Sequence, residues 1–314
     1  MTPRQRALHA VTPRGRIGVE LGPLNKPLIL REDGEVLYAD HRSTEDLRRK
    51  YAEHDTVVGA QASTIVDVDL VLENQTLPEA LGSRAPVDYV VASHVLEHIA
   101  DPVGWLAEIA GILRDGGVLF LVVPDKRFTF DFYRTPSTAG DLVASHLTRA
   151  TIGSPAQVFE HVARAAAVDV PAVWSGRGRT PEPMFDSQLD SALVHARGVA
   201  DSGFYFDVHC TVYTPVSFLA VFRDLIALGL IPFEIAEIVP TPRYALEFYV
   251  TLRKRESLDP AARAAATPQL DPVHHELPEA PVRGMGPRLA AALRLGYRML
   301  RSGSIREPGA GRHG

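Results

Sequence analysis

The chain has one cysteine, Cys210, among 314 residues. That excludes an internal disulfide framework and a zinc site built from several thiolates. It also lacks an excess of positive charge: the formal net charge is −5, which gives no reason to expect non-specific nucleic-acid binding. No apolar run is long enough to span a bilayer, and no apolar stretch follows the basic N-terminus (Arg4, Arg6, Arg14, Arg16) to make a signal peptide. A cytoplasmic protein is expected. Internal repeats are absent. So is a G-x-G-x-x-G turn after the first strand candidate, which argues against a nicotinamide dehydrogenase. What the chain does have is length and apolar content, 46% hydrophobic. That is enough for one large α/β domain with insertions or for two small domains.

The strongest signal runs from Val87 to Asp125. Val87 to Ala92 is a short, β-branched apolar run of the kind buried in a parallel sheet. Asp101-Pro102 predicts a helix start, with an acceptor side chain at the N-cap and a preset φ at the first helical position. Val103, Leu106, Ala110 and Leu113 follow at helical spacing. Arg114 is expected in the last turn, and Gly116-Gly117 at its stop. Val118 to Val123 is a second buried strand, so the two strands are predicted to be parallel neighbours joined by a crossover helix. The polar cluster Ser93, His94, Glu97 and His98 then falls just past the carboxyl end of a strand, where open α/β sheets bind ligands.

SHVLEHIADPVGWLAEIAGILRDGGVLFLVVPD resembles the second half of a class I S-adenosylmethionine-dependent methyltransferase. The upstream half is similar too. Ile17 to Leu21 is a strand carrying Glu20, followed by Gly22, and Val36 to Ala39 is a second strand ending at Asp40. Asp40 lies close to the offset of about 20 residues at which an acid meets ribose hydroxyls in nucleotide-binding βαβ units. The resemblance implies a doubly wound, mostly parallel, seven-stranded Rossmann-like α/β sheet with a helical insertion after the fifth strand. It implies S-adenosyl-L-methionine as cofactor, with Glu20 and Gly22 near its methionine part and Asp40 on the ribose. The third strand, Thr64 to Leu72, offers Asp67 or Asp69 towards the adenine, with Asp69 favoured.

The chain departs from the family at its first loop. Glu20-Leu21-Gly22-Pro23-Leu24-Asn25-Lys26-Pro27 has two prolines and no second glycine. About fifteen residues separate the first two strands, so the crossover helix is expected to be short or missing. This loop, PDKRFTFDFYR (Pro124 to Arg134) and FDVHCTVYTPVSFL (Phe206 to Leu219) resemble a branch associated with sugar and surface-polysaccharide biosynthesis. O-methylation of a small-molecule or glycan acceptor is therefore expected. The alternative is a non-catalytic scaffold on the same fold, which the Pro23–Pro27 loop favours.

The expected organisation is a loose leader at 1–15, the methyltransferase domain at 16–254 and a Pro/Ala/Arg-rich tail at 255–314. Residues 126–205 form an acceptor-side insertion with helical patches at Asp141–Arg149, Gln157–Ala167 and Gln188–Val199. In the tail, Arg294, Arg298 and Arg301 recur on one side of a short basic amphipathic segment. That pattern suits a membrane surface or a partner, the plainer alternative being a solvated tail.

Methyl transfer to a hydroxyl needs positioning and a base. Candidates near the fourth and fifth strand ends are His94, His98, Asp125, Asp131 and His209. His209 is preferred, with His98 and Asp131 as further catalytic candidates; Ser93 and His94 are expected at the cofactor. The bland alternatives are a turn-filling His94, a backbone-bonded His98 and a core His209. His94 to His98 also matches H-x-x-E-H, a metalloprotease pattern. The run starts at a strand end rather than on a helix, so zinc hydrolysis is set aside and no metal is expected.

Overall fold

The structure is a computed structural model that describes residues 1–52, 62–176 and 180–256. It opens with α1 (Pro3–Val11), started by a reciprocal Thr2–Gln5 capping box ahead of Pro3. Then come β1 (Ile17–Leu21), β2 (Glu35–Asp40), α2 (Thr44–Ala52), β3 (Leu70–Val71) and α3 (Leu77–Leu81). The best-marked unit follows: β4 (Val87–Ser93), α4 (Pro102–Ile112) and β5 (Leu113–Pro124). Next are α5 (Ala139–Leu147), α6 (Pro155–Ala163), β6 (Ala166–Ala167), α7 (Val170–Ser175), β7 (Glu182–Pro183) and α8 (Gln188–Ser202). The described chain closes with α9 (Pro215–Ala227), β8 (Phe233–Val239) and β9 (Glu247–Lys254).

Seven strands form one sheet in the order β3-β2-β1-β4-β5-β9-β8. The pairs among β3, β2, β1, β4 and β5 are parallel, and β9 runs antiparallel to both its neighbours. Strand order reverses between β1 and β4, which opens a crevice at their carboxyl ends. One face of the sheet is covered by α3, α4, α5 and α9 through Leu81, Leu106, Ile109, Leu142, Phe218 and Phe222.

The other face carries Tyr38, Tyr89, Phe120 and Tyr249 and is covered by Ala7 and Val11 of α1 with Leu28 and Ile29. Residues 3–11, expected to be loose, are thus a packed helix. The reason lies in the first loop: β1 and β2 are joined without a helix, so this face needs another cover. Nη2 of Arg4 donates to both oxygens of Asp33, at 2.9 and 2.7 Å, tying α1 to that loop. Gly18 is required on this face, because a Cβ there would lie 2.1 Å from the Tyr89 ring.

Three boundaries differ from expectation. α4 ends at Ile112; Leu113 is already paired to Val87, and the bulge that follows carries Gly116 at φ +72°. Arg114 therefore pairs with Asp88 at 2.6 Å instead of closing the helix. The third strand shrinks to Leu70–Val71, because the residues before it are held by side chains. The tail expected from residue 255, with its basic helix, lies outside the described residues from 257 onward. Among the described residues no helix is long and apolar enough to cross a membrane.

Candidate active site

Two groups of polar residues meet at the carboxyl ends of β1, β2, β4 and β5. The first begins with Glu20, buried at 1% exposure. Its two oxygens accept the backbone N–H groups of Leu28 at 2.7 Å and Ile29 at 2.9 Å. Burial pushes its carboxyl up to about 7, against the pull of those two donors. The Tyr38 hydroxyl donates to the Ile29 carbonyl at 2.8 Å, so the loop is clamped from both sides. Gly22 follows with φ +63°, and a Cβ there would meet only Val95 at 3.5 Å.

Asp40 is buried at the end of β2. Its Oδ1 accepts from the His41 N–H at 2.7 Å and faces His41 Nδ1 at 2.6 Å. Its Oδ2 makes no hydrogen bond among the described residues, which leaves an acceptor beside the open backbone of Gly22. That free oxygen at the crevice fits a ribose diol. Asp69 differs: its carboxylate accepts the Tyr38 N–H at 2.8 Å and pairs with Arg31 at 2.8 Å. Asp67 pairs with Arg48.

The second group is built around the 3-10 turn Leu96–His98. His94 precedes it at φ +54° and donates its N–H to the Val122 carbonyl of β5. Its ring lies 2.8 Å from Glu247 and 3.4 Å from Glu97. Burial works against the charged ring, but Glu247 and Glu97 prevail and hold it at about 10. His94 is therefore a cation near neutrality and no base. Ser93 ends β4 beside it. The Glu97 carbonyl accepts from Cys210 N at 2.6 Å and Thr211 N at 3.2 Å. This bond pair fastens the turn to the 209–211 segment, which is how residues over a hundred positions apart come together.

His98 Nδ1 faces Asp207 at 2.8 Å, and His209 Nδ1 faces Asp131 at 2.5 Å. The two rings meet edge to face with centroids 4.8 Å apart. Asp131 is also paired to Arg134 at 2.8 Å. Burial opposes its charge, yet His209 and Arg134 keep its carboxyl well below the usual range. Asp207 is held at about 2, burial being outweighed by His98. His161, fully enclosed, falls to about 3 through burial, and its Nδ1 accepts the His209 N–H at 3.2 Å. Asp125 is engaged by Arg127 and Thr241.

Glu97 is the residue that sequence reasoning noticed without giving it a role. It is 1% exposed, and neither carboxylate oxygen makes a hydrogen bond. Its signals were the strand-end polar cluster and the H-x-x-E-H spacing. One atom each of Glu97, His98 and His209 lies within 4.8 Å of the others.

The insertion closes over this end. Val158 of α6 and Val199 of α8 pack with Val208 and Cys210 in a small separate core. Tyr205 and Phe204 remain exposed at its rim, with the Tyr205 hydroxyl 3.4 Å from Asp207. Tyr51 links the two groups: burial raises its phenol to about 12, helped by the nearby charges of Asp40 and Asp207.

Residues 29–172 match the family model described as a methyltransferase domain. No curated protein matches the chain in sequence. Among solved structures, a protein described as an S-adenosylmethionine-dependent methyltransferase from Listeria monocytogenes is similar at 14% identity and TM-score 0.38, covering 81% of this chain and 98% of that one. A SAM-dependent methyltransferase from Aquifex aeolicus shows 12% identity and TM-score 0.39 over 81% and 90%. A protein described as a zinc-dependent alcohol dehydrogenase from Rhodobacter sphaeroides shows 15% and 0.43 over 80% and 89%. Likenesses this distant carry no weight for chemistry. The matched methyltransferase domain, residues 29–172, lies on a seven-stranded sheet whose crevice carries Asp40, a buried acid with one open oxygen.

Proposed function

We propose that the enzyme methylates a hydroxyl of a sugar or polysaccharide precursor. S-adenosylmethionine, when bound, supplies a methyl group already activated on a sulfonium. The chain's part is to hold both reactants in line and to activate the acceptor. Asp40 takes the ribose hydroxyls through its free Oδ2, Gly22 lets the backbone approach, and Ser93 and His94 border the methionine end. Glu20 and Asp69 act on the scaffold, Glu20 by fixing the loop and Asp69 by holding the start of β2.

The observation that carries the acceptor reading is the His209–Asp131 pair. Asp131 fixes the Nδ1 side of the ring, and one nitrogen of that ring lies within 4.8 Å of a ligand atom of Glu97 and of His98. A ring ordered in this way is suited to activate a hydroxyl whose oxygen bonds the methyl carbon as the carbon–sulfur bond breaks. The hydroxyl proton departs on the His209 side. The exposed rings of Tyr205 and Phe204 at the rim suit the flat apolar face of a pyranose. Resemblance of the Pro124–Arg134 and Phe206–Leu219 runs to the polysaccharide-associated branch favours the same acceptor class.

The test is a screen of nucleotide sugars and glycans with labelled cofactor, read by mass spectrometry. A gain of one methyl on a sugar oxygen supports the reading. Methylation confined to nitrogen or carbon acceptors contradicts it.

A further inference from the structure

Burying a carboxylate without hydrogen bonds is expensive, several kcal/mol for an isolated ion. Glu97 comes close to that position: neither oxygen makes a hydrogen bond, and its compensation is a long ion pair with His94 at 3.4 Å. Its neighbours are arranged for a shared ligand. His98 and His209 each present an imidazole whose Nδ1 is taken by a carboxylate, Asp207 and Asp131 respectively. Nε2 of each ring has no hydrogen-bond partner among the described residues. A ring nitrogen tied to an acid while the other nitrogen is left open is the usual arrangement around a bound metal, the acid fixing tautomer and orientation.

We infer that Glu97, His98 and His209 hold a first-row divalent cation at the acceptor end of the crevice. A cation with bonds of about 2.0–2.2 Å needs its donors within about 4.4 Å of one another; these lie within 4.8 Å, so the side chains draw together slightly to close on it. Two imidazoles and one carboxylate suit Mn²⁺, Co²⁺ or Zn²⁺ and disfavour Mg²⁺ and Ca²⁺, which take oxygen ligands. Three protein ligands leave coordination positions open for acceptor oxygens. The buried hydroxyls of Thr211 and Tyr213 continue the polar interior beyond the three ligands.

The inference rests on the acceptor reading above and specifies how His209 activates the hydroxyl: as a ligand to the cation, which acidifies the bound hydroxyl so that its proton passes to solvent. It also revises the expectation of no metal. The H-x-x-E-H run contributes Glu97 and His98, while the third ligand arrives from His209.

The intact chain, freed of metal with a chelator, is titrated with Co²⁺ followed by visible absorption and with Zn²⁺ followed by calorimetry. S-adenosylhomocysteine is titrated in the same samples. One saturable cation per chain is expected, lost in Glu97→Gln, unchanged in His9→Ala and weaker with Mg²⁺. Asp207 is partly exposed, so Asp207→Asn retains the fold, and it is expected to bind about 10–100-fold more weakly. Wild type binding Co²⁺ and Zn²⁺ no better than folded Glu97→Gln, or Asp207→Asn binding as tightly as wild type, overturns the site. S-adenosylhomocysteine binding without cation binding overturns the metal site alone. Cation binding without it supports the metal site and removes the methyl-transfer reading.

Discussion

The two halves of the crevice use their acids differently. On the β1–β2 side, Glu20 and Asp69 accept from backbone N–H groups and shape the chain around them. On the β4–β5 side, Asp131 and Asp207 accept from histidines, and the Glu97 carboxylate makes no hydrogen bond, only a long ion pair with His94. The first half has no helix between β1 and β2, and a buried carboxylate orders the loop that joins them. The second half keeps its charges facing one another, poised for a ligand. Burial alone therefore does not mark a working residue: Glu20 and Glu97 are equally enclosed. What separates them is whether the hydrogen-bonding capacity is already filled.

Each half can be broken separately. The largest expected effect is on the acceptor side. His209→Ala should lower turnover by about 10²–10⁴-fold, with cofactor affinity retained in calorimetry. Loss of cofactor affinity instead would place His209 in the other half. Next is Asp40→Ala, expected to weaken cofactor binding by about 1.5–3 kcal/mol while the thermal midpoint changes little.

Glu20→Gln should cost about 1–3 kcal/mol of stability, because an amide N–H then faces a backbone N–H at Leu28 or Ile29. Its pH signature is distinctive. The folded Glu20 binds its proton more tightly than the unfolded chain does, so its contribution is fullest below pH 4.5 and is lost as pH rises to about 7. Denaturant melts of the variant should be flatter across that window than those of wild type; an unchanged slope would show that Glu20 is not its source. The smallest effect belongs to Asp69→Asn. It keeps an acceptor for Tyr38 N–H and loses a half-exposed pair with Arg31, worth about 0.2–1 kcal/mol, with cofactor affinity unaltered.

The frame was legible where burial and periodicity agree. β4, α4 and the core of β5 follow directly from Val87–Ala92, the Asp101-Pro102 cap and Val118–Val123. The ends of elements were less legible, since Leu113 pairs into the sheet while still in phase with the helix. α1 was hidden because its nine residues are too polar to advertise a packed face; only Ala7 and Val11 are buried. Glu20 and Asp69 were picked out at the right edge, but no spacing rule says whether a carboxylate meets a ligand or the backbone. The Asp131–His209 and Asp207–His98 pairs join residues 78 and 109 positions apart, a separation that no local pattern encodes. Glu97 was visible as a letter in a motif, and its carboxylate's lack of a hydrogen bond became visible only in three dimensions.

The most direct test of the division is calorimetric titration of S-adenosylhomocysteine into wild type, Asp40→Ala and Asp69→Asn. The expected result is tight binding to wild type and Asp69→Asn and a marked loss in Asp40→Ala. Full affinity in Asp40→Ala, with loss in Asp69→Asn, would contradict the assignment of ligand and scaffold roles on which the comparison rests.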